Sequence, residues 1–108
     1  MKILKFLLIV SLLSIFNNII ALADEAKMKK GLEIFNETAA CAACHILKAA
    51  GSQGNIGPNL DTVSMTIESV VDMVTNGLGV MPAFGEGDML TKEEIETVSY
   101  FVVNSVKG

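Results

Sequence analysis

At 108 residues the chain has room for one small domain, and a formal charge of −4 with no basic run argues against nucleic acid as a partner. Two cysteines and a single histidine are too few for a four-ligand zinc site or a disulfide framework. A domain this short makes a thin core and needs a staple, such as a bound group with an apolar face.

The first stretch lies outside that domain. Met1 to Lys5 is a positively charged start, Phe6 to Ile20 is mostly apolar, and Ala21-Leu22-Ala23 is an A-x-A cleavage site. Asn17 and Asn18 interrupt the run, which is shorter than the ~20 residues of a membrane span. Residues 1–23 are therefore expected to be a signal peptide and 24–108 the domain, with no stable membrane insertion after cleavage; a retained anchor is the alternative. The mature chain would keep all twelve acids and six lysines, a charge of −6, so a charge-steered partner should present a basic face.

Asp24 to Thr38 predicts an amphipathic helix, with Met28, Leu32 and Phe35 at helical spacing and Asp24 and Glu25 at the positive end of its dipole. Gly31 within it costs about 1 kcal/mol relative to alanine. Either another helix crosses closely there or the position is exposed and indifferent.

Cys41-Ala42-Ala43-Cys44-His45 follows, and the pattern C-x-x-C-H is that of covalent haem attachment. Each thiol can add across one porphyrin vinyl group, which makes Cys41 and Cys44 the thioether residues of a single haem c. His45 is then held beneath the iron, where a neutral imidazole nitrogen can bind it. A thioredoxin-like redox pair would need a surrounding βαβ pattern, and none is present. A disulfide across so short a loop would constrain the unfolded chain little.

Ile46 to Asn59 is rich in Ala, Gly, Ser, Gln and Asn and predicts a loop without regular structure, closing on Gly57-Pro58-Asn59-Leu60. The Pro58 carbonyl and the Leu60 side chain are candidates for orienting His45 and covering the proximal haem face, against the alternative of an ordinary turn. Thr66 can cap a helix over Ile67–Asn76 that Gly77 ends, with Ile67, Val70, Val71 and Val74 as its apolar stripe. Leu78 to Gly85 is irregular and apolar, and needs a cover such as the haem face. Thr91-Lys92-Glu93-Glu94 is a capping box opening a last helix, whose inner face is Ile95, Val98, Phe101 and Val102. No strand-like alternation appears, so the fold class is all-α, three to four helices wrapped around one covalently attached haem.

The sixth iron position cannot be a second histidine. Methionine is the soft neutral ligand left, and the candidates are Met28, Met65, Met73, Met81 and Met89. Met28 and Met73 fall on predicted helices, where methionine fills cores, and Met65 and Met89 sit at helix entrances. Met81 lies in a loop stiffened by Pro82 and is favoured.

The chain resembles a small class I c-type cytochrome, most nearly the cytochrome c6-like group. The matching stretches are Gly31-Leu32-Glu33-Ile34-Phe35 leading into Cys41–His45, Gly57-Pro58-Asn59-Leu60, Val74–Gly77 with Met81-Pro82-Ala83-Phe84-Gly85, and Ile95-Glu96 with Phe101. The resemblance implies first and last helices crossing near Gly31, Phe35 and Phe101. It also implies thioethers at Cys41 and Cys44, His45 and Met81 as axial ligands, and a hydrogen bond from His45 to the Pro58 carbonyl. Two departures count against a photosystem partner: Met73 stands where photosynthetic members carry glutamine, and residues 46–65 do not follow their pattern.

The expected function is that of a monomeric one-electron carrier in the periplasm, rather than a thylakoid lumen, working between respiratory redox proteins with a basic docking face. An electron-accepting subunit fixed to one dehydrogenase or oxidase is the alternative. A haem ligand-binding protein is a further one, disfavoured because the loop around Met81 offers few polar groups.

Overall fold

The structure, a computed structural model, describes residues 1–106; the last two residues of the expected domain lie outside the described residues. Three helices dominate it: α1 (Lys2–Glu33), α2 (Ile67–Asn76) and α3 (Lys92–Val106). Between α1 and α2 run short 3-10 turns and a two-residue antiparallel pair, β1 (Ile46–Leu47) and β2 (Ser52–Gln53).

The first helix is longer than its amphipathic part. It runs unbroken from Lys2 because no glycine or proline intervenes before Gly31 and Ala21-Leu22-Ala23 are good helix formers. Asn17 does not interrupt it, since its side-chain amide donates to the Leu13 carbonyl at 3.0 Å. By length and composition this helix can cross a membrane, which the division of the run at Asn17 and Asn18 had argued against. Residues 1–27 are all exposed, and an exposed apolar helix at this end points to export. At its other end α1 widens into a π turn over Ile34–Thr38, with the Ala39 N–H donating back to Ile34 at 2.9 Å. Ala40, at φ 51°, then reverses the chain into Cys41.

The core is Ile34, Phe35, Leu47, Val74, Leu90, Ile95, Val98, Phe101 and Val102. Its centre is the crossing of α1 and α3, where the Phe35 and Phe101 rings meet edge to face, 5.9 Å apart at 60°. Gly31 is buried at that crossing. A Cβ there would lie 2.3 Å from the Phe101 Cβ and 2.9 Å from the Thr97 carbonyl oxygen, so the glycine is what lets the helices touch.

The capping signals act as read. The Thr66 hydroxyl accepts the Ser69 N–H, and the Ser69 hydroxyl accepts the Thr66 N–H. Thr91 and Glu94 do the same for α3. Gly77, at φ 67°, ends α2 and donates to the Met73 carbonyl.

The glycine-rich segment is more ordered than expected. Leu47 is fully buried and pairs with Ser52, closed by a 3-10 turn over Lys48–Ala50 and by Gly51 at φ 66°. Two-residue strands have no periodicity to detect, which is why the pair is invisible in the sequence.

Gly31→Ala should destabilise the folded protein despite the helix propensity of alanine, because the added methyl meets a helix backbone that must give way. A loss of about 1–3 kcal/mol is expected, seen as a lower thermal midpoint.

Candidate haem-binding site

Both cysteines and the histidine sit on one turn. Cys41–Ala43 is a 3-10 turn, and the Cys41 carbonyl accepts the N–H groups of Cys44 at 3.1 Å and His45 at 3.0 Å. Both thiols are free. Burial pushes the Cys41 thiol up to about 11, so at neutral pH it is protonated. Among the described residues no three His, Cys, Asp or Glu side chains converge on a common point, so the turn is not a metal cage of its own.

The imidazole of His45 is fixed on two sides. Its Nδ1–H donates to the Pro58 carbonyl at 2.8 Å. A carbonyl can only accept, so the proton is on Nδ1 and the lone pair is on Nε2. On the other side Gly57 leaves the ring its space: a Cβ there would lie 2.5 Å from Cε1 and 2.9 Å from Nδ1. The Gly57 N–H donates to the Cys44 carbonyl at 2.8 Å, tying this loop back to the cysteine turn.

The remaining loop is pinned by side chains the sequence did not single out. The buried Ser52 hydroxyl donates to the His45 carbonyl at 2.8 Å and accepts the Leu47 N–H at 2.9 Å. An Asp61 carboxylate oxygen accepts the Lys48 N–H at 2.9 Å. Gly54 lies against the cysteine turn, where a Cβ would be 2.5 Å from the Ala43 carbonyl oxygen. Gly51, Gly54 and Gly57 at three-residue spacing were the available signal, read as irregularity when two of them are close contacts.

Met81 approaches from the far end of α2. Leu78 and Met81 exchange two backbone hydrogen bonds across a two-residue turn, with Gly79 at φ 58° at its first central position. The next residues are tied to α2: Phe84 N–H donates to Val74 at 3.0 Å and Gly85 N–H to Thr75 at 3.2 Å. Gly77 again admits a close approach, since a Cβ there would sit 2.5 Å from the Met81 carbonyl oxygen. Cys41, Leu60 and Met81 are all half-buried against the same apolar cluster, while Pro58 offers its carbonyl from an exposed position. Of the other methionines, Met28 and Met65 also pack on that cluster, whereas Met73 and Met89 are 39% and 50% exposed.

These residues fit a haem: two free thiols on one turn, an imidazole with a committed proton and a free Nε2, and a half-buried thioether on a braced loop. Residues 26–102 match the family described as "Cytochrome C oxidase, cbb3-type, subunit III". The chain belongs to the class I monohaem cytochromes c. This cytochrome is 36% identical over 98 residues to cytochrome c6 of Gracilaria tenuistipitata var. liui, covering 83% of each chain. It is 34% identical over 92 residues to the chloroplastic cytochrome c6 of Chlamydomonas reinhardtii, spanning 76% of its own length and 57% of that protein's. Among solved structures, the c-type cytochrome SorU from Sinorhizobium meliloti matches with a TM-score of 0.69 and 44% identity, over 76% of this chain and 93% of that one. The cytochrome is thus an electron carrier and not an enzyme, and its family carries haem c.

Gly57→Ala should turn the imidazole out of line and break its bond to Pro58. In the reduced holoprotein the His45 Nδ1 proton is expected to exchange with solvent about tenfold faster, the equivalent of one lost hydrogen bond, as followed by nuclear magnetic resonance.

Proposed function

We propose that this cytochrome carries one haem c through thioethers from Cys41 and Cys44, with His45 Nε2 and the Met81 sulfur as axial ligands. The observation that carries the reading is the His45–Pro58 hydrogen bond, which commits Nδ1 and leaves Nε2 as the ring's only lone pair. Bound there, the haem would supply one iron that takes up and gives back a single electron. Leu60 would cover the proximal face, and the bonds from residues 84 and 85 to α2 would keep Met81 in place in both oxidation states. A ligand set that does not rearrange keeps the transfer fast.

The exit for the electron is the apolar rim formed by Ala49 and the Val80–Phe84 loop, with Val80 itself 87% exposed. Glu86 and Asp88 stand beside that loop and suit a donor or acceptor with a basic docking face. The first 23 residues act as a signal peptide, and the mature domain works in the periplasm between respiratory partners. Met73, in place of the glutamine of photosynthetic members, supports that choice over a photosystem. A second reading, a subunit held by one oxidase or dehydrogenase, is favoured by the family description, which names an oxidase subunit.

Met81→Ala should abolish the near-infrared sulfur-to-ferric-iron band and lower the midpoint potential, while Met65→Ala and Met73→Ala keep the band. A band that survives in Met81→Ala and disappears in either of the others would move the ligand there. The free carrier and the fixed subunit separate on size-exclusion chromatography of native periplasmic extract: the carrier elutes at its own mass, the subunit with its enzyme.

A further inference from the structure

A groove of about 510 Å³ runs between α2 and α3, and none of Cys41, Cys44, His45, Pro58, Leu60 and Met81 lines it. Its construction is regular. Ile67, Val71 and Thr75, one helical turn apart on α2, form the floor, and Glu68 and Asp72 stand beside them along the rim. Glu96 and Tyr100, one turn apart on α3, make the opposite wall, and Lys27 of α1 reaches in at the edge.

Two features define what the groove accepts. First, among the described residues the ion pair found is Lys30–Glu33, and no cation lies within 4.0 Å of the carboxylates of Glu68, Asp72 and Glu96; Asp72 accepts only the neutral Asn76 amide, at 2.9 Å. Secondly, the Lys27 ammonium lies 4.5 Å above the Tyr100 ring, so the wall already holds an alkylammonium on its aromatic face. An apolar floor, an aromatic wall and unpaired acids on both rims match a cation on an apolar stem, buried along the floor with its charge at the rim.

We infer that this groove is a docking site for a lysine- or arginine-bearing segment of a protein partner. The inference rests on the carrier reading only in taking that partner to be an electron-transfer protein. A partner gripped here would leave the Val80–Phe84 rim free for a second one, so that donor and acceptor need not compete for one face. The groove also touches the loop that carries Met81, since Thr75 forms part of its floor and its carbonyl accepts the N–H groups of Gly85 at 3.2 Å and Glu86 at 3.3 Å.

The test uses isotope-labelled, reduced holoprotein titrated with a synthetic tetra-arginine peptide, and separately with spermidine. The amides of residues 67–76 and 96–100 should shift on adding the peptide. The triple variant Glu68→Gln, Asp72→Asn, Glu96→Gln should bind it about tenfold more weakly, while a control of equal charge, Glu25→Gln, Glu37→Gln, Glu93→Gln, should change binding less than about twofold. Tyr100→Leu, which keeps every charge, should also weaken it. Equal losses in both triple variants, or shifts centred on residues 78–84, would overturn the inference, and so would spermidine binding as tightly as the peptide at the same amides. The groove variants should retain the near-infrared band and midpoint potential of the parent. Failure of the Met81→Ala experiment would therefore count against the ligand assignment and leave the groove result standing.

Discussion

The hydrogen bond from the His45 ring to the Pro58 carbonyl is the constraint on which the site depends. A neutral imidazole has one N–H and one lone pair, and either nitrogen can carry either. A main-chain carbonyl 2.8 Å from Nδ1 removes that choice. Gly57 then sets the ring plane by leaving no side chain between loop and imidazole, and Ser52 holds the carbonyl of the same histidine from the opposite strand. Three residues with no iron chemistry of their own thus fix the tautomer and the seat of His45.

The helices serve this arrangement without contributing a ligand. α1 and α3 close on each other at Gly31 and Phe101, so the two ends of the domain are locked and the loops between them are free to specialise. α2 works differently. Its apolar stripe packs on α3, and its last carbonyls, left without partners inside the helix, are taken up by the N–H groups of Phe84, Gly85 and Glu86. The end of a helix is thereby used to brace a methionine loop that has no regular structure of its own.

What was legible in the sequence was whatever depends on neighbours in the chain. The C-x-x-C-H turn, the caps at Thr66 and Thr91, the stop at Gly77 and the inner faces of α2 and α3 need a span of a few residues to be recognised. The glycine at 31 could be seen as costly, but only the structure shows Phe101 opposite it. The Pro58 carbonyl was legible as the partner of His45; the rest of the imidazole's seat was not, because Gly57 and Ser52 act on it from twelve and seven residues away, with strands between them too short to pattern. The first helix is legible only from Asp24, because the apolar run before it reads as a signal peptide; in the structure the two are continuous. Within it the Asn17 amide bonds to the carbonyl one turn back, so a polar side chain in the apolar run stays compatible with the helix.

Charge and apolar surface act over different ranges on this molecule. At physiological ionic strength fields fade over about 8 Å, so in the proposed carrier role acids away from the Leu78–Val80 turn would guide an approaching basic protein but hold it weakly. The exposed Leu78 and Val80 turn could act only at contact, where burying it would displace water. A carrier must release its partner after each transfer, which requires that this contact stay small. A tip of two aliphatic side chains, projecting from a turn that Gly79 permits, meets that requirement; a broad apolar face would convert the same chemistry into a permanent complex.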